Sequence, residues 1–241
     1  MNNLMNRYNL QRIFFFIFLS VPALISLPQK QSPYELQVTR KPGEYRKQIK
    51  LDPDKKMVEL RSLIPNLDYD LRYATANNFM HRFMYPSKTA YTFLRKPAAQ
   101  DLQLVQKELN AKGLGLKIFD AYRPYSVTVK FWELVHDERY VANPAKGSGH
   151  NKGIAVDLTI INMKTGEELN MGTGFDNFTD SAHHTFTGLT EAVLQNRVLL
   201  KTTMEKYGFK ALETEWWHYY LSDGEKYEVL DFEFKKLKRI N

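Results

Sequence analysis

Ser148-Gly149-His150-Asn151-Lys152-Gly153-Ile154-Ala155-Val156-Asp157 and Glu215-Trp216-Trp217-His218 hold between them two histidines, an aspartate and a further glutamate. Two imidazoles and a carboxylate are the usual protein complement of a hydrolytic zinc site, which keeps its fourth position open for water. A spare glutamate is the right type to take a proton from that water. The chemistry within reach is therefore metal-assisted hydrolysis, with His150, Asp157 and His218 as ligands and Glu215 as base. Taken singly, each residue has a duller reading, because a lone histidine or strand carboxylate is commonly just a hydrogen-bonded core or surface group. A glycine-flanked histidine, an aspartate inside an apolar strand and a Glu-x-x-His in an aromatic run rarely coincide without a site.

The elements that must position these groups follow from their spacing. His150 and Asp157 stand at odd spacing, which on one straight strand would put them on opposite faces. Both reach one metal only if the chain turns between them, and Gly149 and Gly153 supply such a turn. Residues 154–161, Ile-Ala-Val-Asp-Leu-Thr-Ile-Ile, then read as a buried strand carrying Asp157. Glu215 and His218 pose the same problem at spacing three. Either a bulge near Trp216 or a Glu215 at the strand entrance resolves it.

The chain has 241 residues, 43% of them hydrophobic and 13% aromatic, which argues for a folded domain of ordinary size. It has no cysteine. Disulfides, thiolate ligands and cysteine nucleophiles are excluded together, so any metal must use histidine and carboxylates. The formal charge is +7. Lysine and arginine are spread along the chain without an aromatic-basic recognition motif, so the charge reads as a solvated surface and no nucleic-acid partner is expected.

Residues 1–27 read as a signal peptide or membrane anchor: Arg7 and Arg12 precede an apolar run from Ile13 to Leu27, short for a membrane span of ~20 residues. Without cysteine, lipoprotein attachment is excluded. Residues 28–56 are polar, basic and proline-dotted, and read as a linker; the domain is then 57–241. Within it, 68–73 alternates like a strand, and Pro97–Lys112 is an amphipathic helix stopped by Gly113. Leu116–Tyr122 reads as a strand, handing over at Arg123-Pro124 to a helix reaching about His136. Arg123 thus stands at a strand end, a common place for functional side chains. Residues 162–168 read as a hairpin turn, Leu189–Tyr207 as a helix, Trp216–Leu221 as an aromatic strand and Val229–Phe234 as another.

The two opening stretches resemble the D-alanyl-D-alanine dipeptidases of the VanX type. So do Tyr73-Ala74-Thr75-Ala76-Asn77-Asn78-Phe79, Asp120-Ala121-Tyr122-Arg123-Pro124 and Met171-Gly172-Thr173-Gly174-Phe175-Asp176. The similarity covers roughly residues 57–222. The His/Asp/His pattern is shared with related D,D-carboxypeptidases, whereas the double tryptophan, the Tyr-Arg-Pro and the Met-Gly-Thr-Gly-Phe-Asp are more specific. The resemblance implies an α+β domain with helices packed on an antiparallel sheet and the metal site at the sheet. It implies one Zn2+ per chain on His150, Asp157 and His218, Glu215 as general base and then acid, and Arg123 stabilising the oxyanion. Ser148 and Asp176 would lie in the substrate pocket, Asp176 near the free ammonium of D-Ala-D-Ala.

Two other readings share this site: a D,D-carboxypeptidase or endopeptidase acting on longer peptidoglycan peptides, and a non-catalytic zinc module that binds cell-wall peptide. The expected partner is a small dipeptide, with membrane contact only through residues 1–27. An exported product would lie in the periplasm, or be anchored facing it, where it would handle free dipeptide.

Overall fold

The computed structural model describes residues 34–241, so the export segment expected at 1–27 lies outside the described residues. The segment expected to be a linker is, from Tyr34 onward, part of the fold. It contains β1 (Val38–Thr39) and α1 (Pro42–Leu51). Tyr45 of α1 is fully buried, and its hydroxyl accepts from the Met57 amide at 2.8 Å. The reading failed because α1 buries only this one residue, so its polar sequence carries no apolar stripe.

Next come β2 (Met57–Glu59), the single turn α2 (Leu60–Leu63), β3 (Asp68–Tyr69), β4 (Phe93–Arg95) and α3 (Lys96–Asn110). The strand expected over 68–73 stops after two residues. A 3-10 turn at Arg72–Ala74 then carries Tyr73 inward, and burial of that ring overrides the alternation. The chain continues with β5 (Leu114–Asp120), α4 (Tyr125–Val135), the one-turn α5 (Gly149–Lys152), β6 (Ala155–Asn162) and α6 (Glu191–Lys206). It closes with β7 (Phe209–Ala211), β8 (His218–Leu221), β9 (Val229–Leu230) and α7 (Phe234–Ile240). The strand expected over 229–234 is therefore two residues followed by a helix. Phe232, Phe234 and Leu237 all turn into the core there, too sparse a set to show a helical period in seven residues.

The fold is α+β. The main sheet has the order β3-β5-β6-β8-β7, antiparallel throughout except for the parallel edge pair β3/β5. Strand alternation gives this sheet two different faces. Val156, Leu158, Ile160, Leu116, Ile118 and Tyr219 are almost wholly buried on the face that α3 and α6 cover. Asp157 and His218, paired directly across β6 and β8, share the opposite face. A register shift between Ile118 and Asp120 brings Asp120 opposite Asp157 on that same face. Aromatic rings roof this side: Phe131 of α4 against Tyr73 with centroids 4.9 Å apart, and Phe175 stacked on Phe119, also at 4.9 Å.

Candidate metal centre and active site

The turn expected between His150 and Asp157 is α5. Ser148 is extended, and its hydroxyl accepts from the His150 amide at 3.2 Å, capping the turn. Gly153 ends it at φ +72, where a Cβ would meet Met57 Cε at 2.5 Å. Arg95, fully buried at the end of β4, holds this corner from below. Its amide donates to Gly153 O at 2.7 Å and its Nε to Lys152 O at 2.8 Å.

His150 is thereby aimed at Asp157. Its Nδ1 lies 2.7 Å from Ala121 O, which can only accept, so Nδ1 carries the proton and Nε2 keeps its lone pair. Nε2 lies 3.4 Å from Asp157 Oδ2, and His218 Nδ1 lies 2.8 Å from Asp157 Oδ1. The three donor atoms fall within 4.8 Å of one another. Two imidazole nitrogens and a carboxylate converging in this way fit a zinc ion with a coordination position to spare. Burial alone would raise Asp157, but His150 and His218 beside it hold its carboxyl well below the usual range.

Glu215 resolves its spacing problem at the strand entrance. It sits in the turn before β8, and the expected strand over 216–221 begins only at His218. Its Oε2 stands 3.9 Å from His218 Nδ1, the same nitrogen that faces Asp157. Burial pushes its pKa up, with His218 partly opposing.

Arg123 is buried on the other side of the site. Its Nε and Nη2 both donate to Asp120 Oδ2, at 3.1 and 2.8 Å, and its guanidinium lies over the rings of Tyr73 and Phe131. Nη1 makes no hydrogen bond to the described residues. Its backbone is tied to the metal turn as well, since the Arg123 amide donates to His150 O at 3.2 Å and Asn151 Nδ2 donates to Arg123 O at 2.8 Å.

Asp176 stands at φ +61, a left-handed conformation that aspartate tolerates better than most residues. Its Oδ1 accepts from Tyr73 OH at 3.0 Å, while its buried Oδ2 has no partner among the described residues. Burial, and then the charge of Asp157, push this carboxyl up to about 8. The loop that carries it is stitched to the 215–218 segment by Trp216 Nε1, which donates to Thr173 Oγ1 at 2.8 Å.

Three residues here escaped the sequence reading. Asp120 anchors Arg123, Tyr85 donates its hydroxyl to Asp120 Oδ1 at 2.7 Å, and Tyr73 holds Asp176. An acid ending an apolar strand three residues before an arginine was a usable signal for Asp120. Nothing local marks Tyr85.

The Peptidase M15 family, described as D-ala-D-ala dipeptidase, matches residues 53–237. A D-alanyl-D-alanine dipeptidase of Escherichia coli K12 is 34% identical over 178 residues, covering 74% of this chain and 91% of that relative. One from Enterococcus faecalis is 33% identical, covering 73% and 95%. Among solved structures, the LD-carboxypeptidase LdcB covers 70% of this chain and 71% of its own, at 19% identity and a TM-score of 0.41. On the family match and the extent of these two relatives, the chain belongs to the D-Ala-D-Ala dipeptidase family of M15 peptidases and is a metallopeptidase.

Proposed function

We propose that the protein hydrolyses the free dipeptide D-Ala-D-Ala to D-alanine. The observation that carries the substrate is Asp176, a buried carboxyl group with one oxygen fixed by Tyr73 and the other without a partner among the described residues, which an ammonium group beside it would hold ionised. An unpaired buried acceptor is costly, and a cationic donor relieves the cost. A dipeptide brings a free ammonium within one residue of the scissile bond. A longer peptide brings an uncharged amide to the same place.

His150, Asp157 and His218 would hold one zinc ion. When bound, zinc lowers the pKa of water towards ~7 and polarises the scissile carbonyl. Glu215 takes the proton of the attacking water and passes it to the leaving amine. Arg123, kept in place by Asp120, offers its free Nη1 to the negative charge that develops on the carbonyl oxygen. Tyr73 orients Asp176 for the substrate amino group. Ser148 shapes the pocket by capping the turn that presents His150. No covalent intermediate is required.

The test is a comparison of kcat/KM for D-Ala-D-Ala with that for a stem pentapeptide ending in D-Ala-D-Ala. We expect the dipeptide to be preferred by at least about two orders of magnitude, the size of a lost charge-assisted contact. Comparable rates would make the protein a D,D-carboxypeptidase, and absence of turnover with metal bound would make it a binding module. Export to the periplasm is part of the same proposal and rests on residues 7–27 alone; fractionation of cells expressing the full chain tests it, and a uniformly cytosolic full-length product would refute it.

A further inference from the structure

The excess positive charge, spread along the sequence, is concentrated by the fold. Residues 57–230 hold twenty Lys and Arg against twenty-one Asp and Glu. Residues 34–56 hold seven against four, and residues 231–241 four against two. These two segments lie side by side: Tyr45 of α1 donates its hydroxyl to Asn241 Oδ1 at 2.5 Å, and its ring packs 5.8 Å from that of Phe232.

The cations they carry are largely unpaired. Arg46, Lys47 and Lys50 of α1 are exposed and form no ion pair with the described residues, and the same is true of Lys235, Lys238 and Arg239 of α7. Of the acids in these segments, Glu44 is engaged by Lys41, Asp54 by Lys96 and Asp231 by Arg40, while Glu35, Asp52 and Glu233, and Glu59 in the cleft described next, form no ion pair with the described residues. At about 100° per residue, Arg46, Lys50, Lys47 and Leu51 follow one another around the outer side of α1, opposite buried Tyr45. Leu51 is 77% exposed. Beside α7 opens a cleft of about 550 Å³ with an apolar floor that includes Met57 and Phe93, and with Lys56, Lys96 and Lys238 among its lining.

We propose that the face formed by α1 and α7 docks on an anionic lipid surface. A basic helix face ending in an exposed leucine, next to an apolar cleft flanked by ammonium groups, matches phosphate headgroups above acyl chains. Nucleic acid fits less well, because the ring that meets these cations, Tyr91 beneath Lys238 at 4.4 Å, is half-buried against the core and already covered by the ammonium group, so it offers no open face to stack a base. The α1 half of the face lies outside the family match, which begins at residue 53, after α1. A polybasic patch is the usual second signal where a single apolar anchor holds only weakly, and the apolar run expected to lead this chain to a membrane precedes α1 in sequence.

The full chain has no cysteine, so a single Leu51→Cys variant carries one environment-sensitive fluorophore at a defined place. Emission from position 51 should shift to the blue with vesicles of equimolar phosphatidylglycerol and phosphatidylcholine, and not with phosphatidylcholine alone. Each basic residue near an anionic surface is worth roughly fivefold in binding. The triple reversal Lys235→Glu, Lys238→Glu, Arg239→Glu should therefore weaken the response at least tenfold, with turnover of dipeptide unchanged. A probe at Val198→Cys on α6, 59% exposed, should not respond. The proposal is overturned by no shift at position 51, by an equal shift with neutral vesicles or at position 198, by a triple variant that responds like the parent, or by duplex DNA displacing the vesicles at equal salt.

Discussion

Asp120 and Arg123 form a buried ion pair in which one carboxylate oxygen takes both guanidinium contacts, at 3.1 and 2.8 Å, while the other takes the Tyr85 hydroxyl and the Ala121 amide. The carboxylate is wholly enclosed. Burial would otherwise depress Arg123, and Asp120 reverses that and holds it charged. Removing one partner of such a pair leaves an uncompensated buried charge, which costs about 3–5 kcal/mol. Asp120→Ala is therefore expected to lower the melting temperature by roughly 6–20 °C and to reduce turnover with it. Calorimetry of the metal-loaded variant checks this, and a melting point within a degree of the parent would show that Arg123 does not depend on Asp120.

Glu215→Gln keeps the size of the side chain and removes its base. Because Glu215 is not among the three converging donors, metal content should be unchanged. Turnover should fall by about 100- to 10,000-fold, the usual contribution of a positioned general base, with KM moving little. Metal analysis beside steady-state kinetics makes the check. Near-normal turnover would move the role of base to another carboxylate, Asp176 first.

Loss of a ligand should look different. His150→Ala, Asp157→Ala and His218→Ala should each lose metal and activity together, and a chelator should do the same to the parent. A variant that retains a full equivalent of zinc would remove that residue from the ligand set.

Asp176 makes a prediction in pH. In metal-stripped protein its folded pKa of about 8 lies above the ordinary aspartate value. A carboxyl raised in this way stabilises the fold below its unfolded pKa of ~4, and that contribution is lost as pH rises through its folded value. Asp176→Asn cannot ionise, and asparagine accepts the left-handed backbone at this position. The variant should match the parent near pH 4 and gain on it by up to roughly 1.4 kcal/mol per pH unit between there and pH 8. Denaturant titration of both metal-free proteins reads the slope directly, and parallel curves would refute it. In the loaded enzyme the same change should raise KM for the dipeptide more than it lowers kcat.

Tyr45 tests the boundary of the domain. Truncating a fully buried aromatic costs about 3–5 kcal/mol, so Tyr45→Ala should destabilise the whole domain although it lies in a stretch that reads as a linker. A melting temperature equal to the parent's would return residues 34–56 to that status.

The sequence exposed its chemistry more fully than its architecture. The three donors that the fold brings together were legible as candidates because only a few residue types bind metal and the chain lacks cysteine. The turn before Asp157 was legible because glycine is needed where Gly153 takes φ +72. The long helices α3 and α6 announced themselves by period and stop signals. What stayed hidden depends on distant partners. Tyr45 is buried by Phe232, almost the whole chain away, and Asp120 meets Tyr85 across thirty-five positions. Short elements such as β1, β9 and α7 contain too few residues to display a period, and their identity is set by what they dock against.

The direct pairing of Asp157 with His218 across β6 and β8 has a consequence for how the molecule matures. Side chains alternate along a strand, so a slip of one residue in this pairing would send His218 to the helix-covered side and leave Asp157 behind. A misaligned chain then has no three-donor cluster, and zinc gives it no help. Metal uptake thus acts as a proofreader: it rewards only molecules whose strands have zipped in the right register, and by mass action it draws the population toward them.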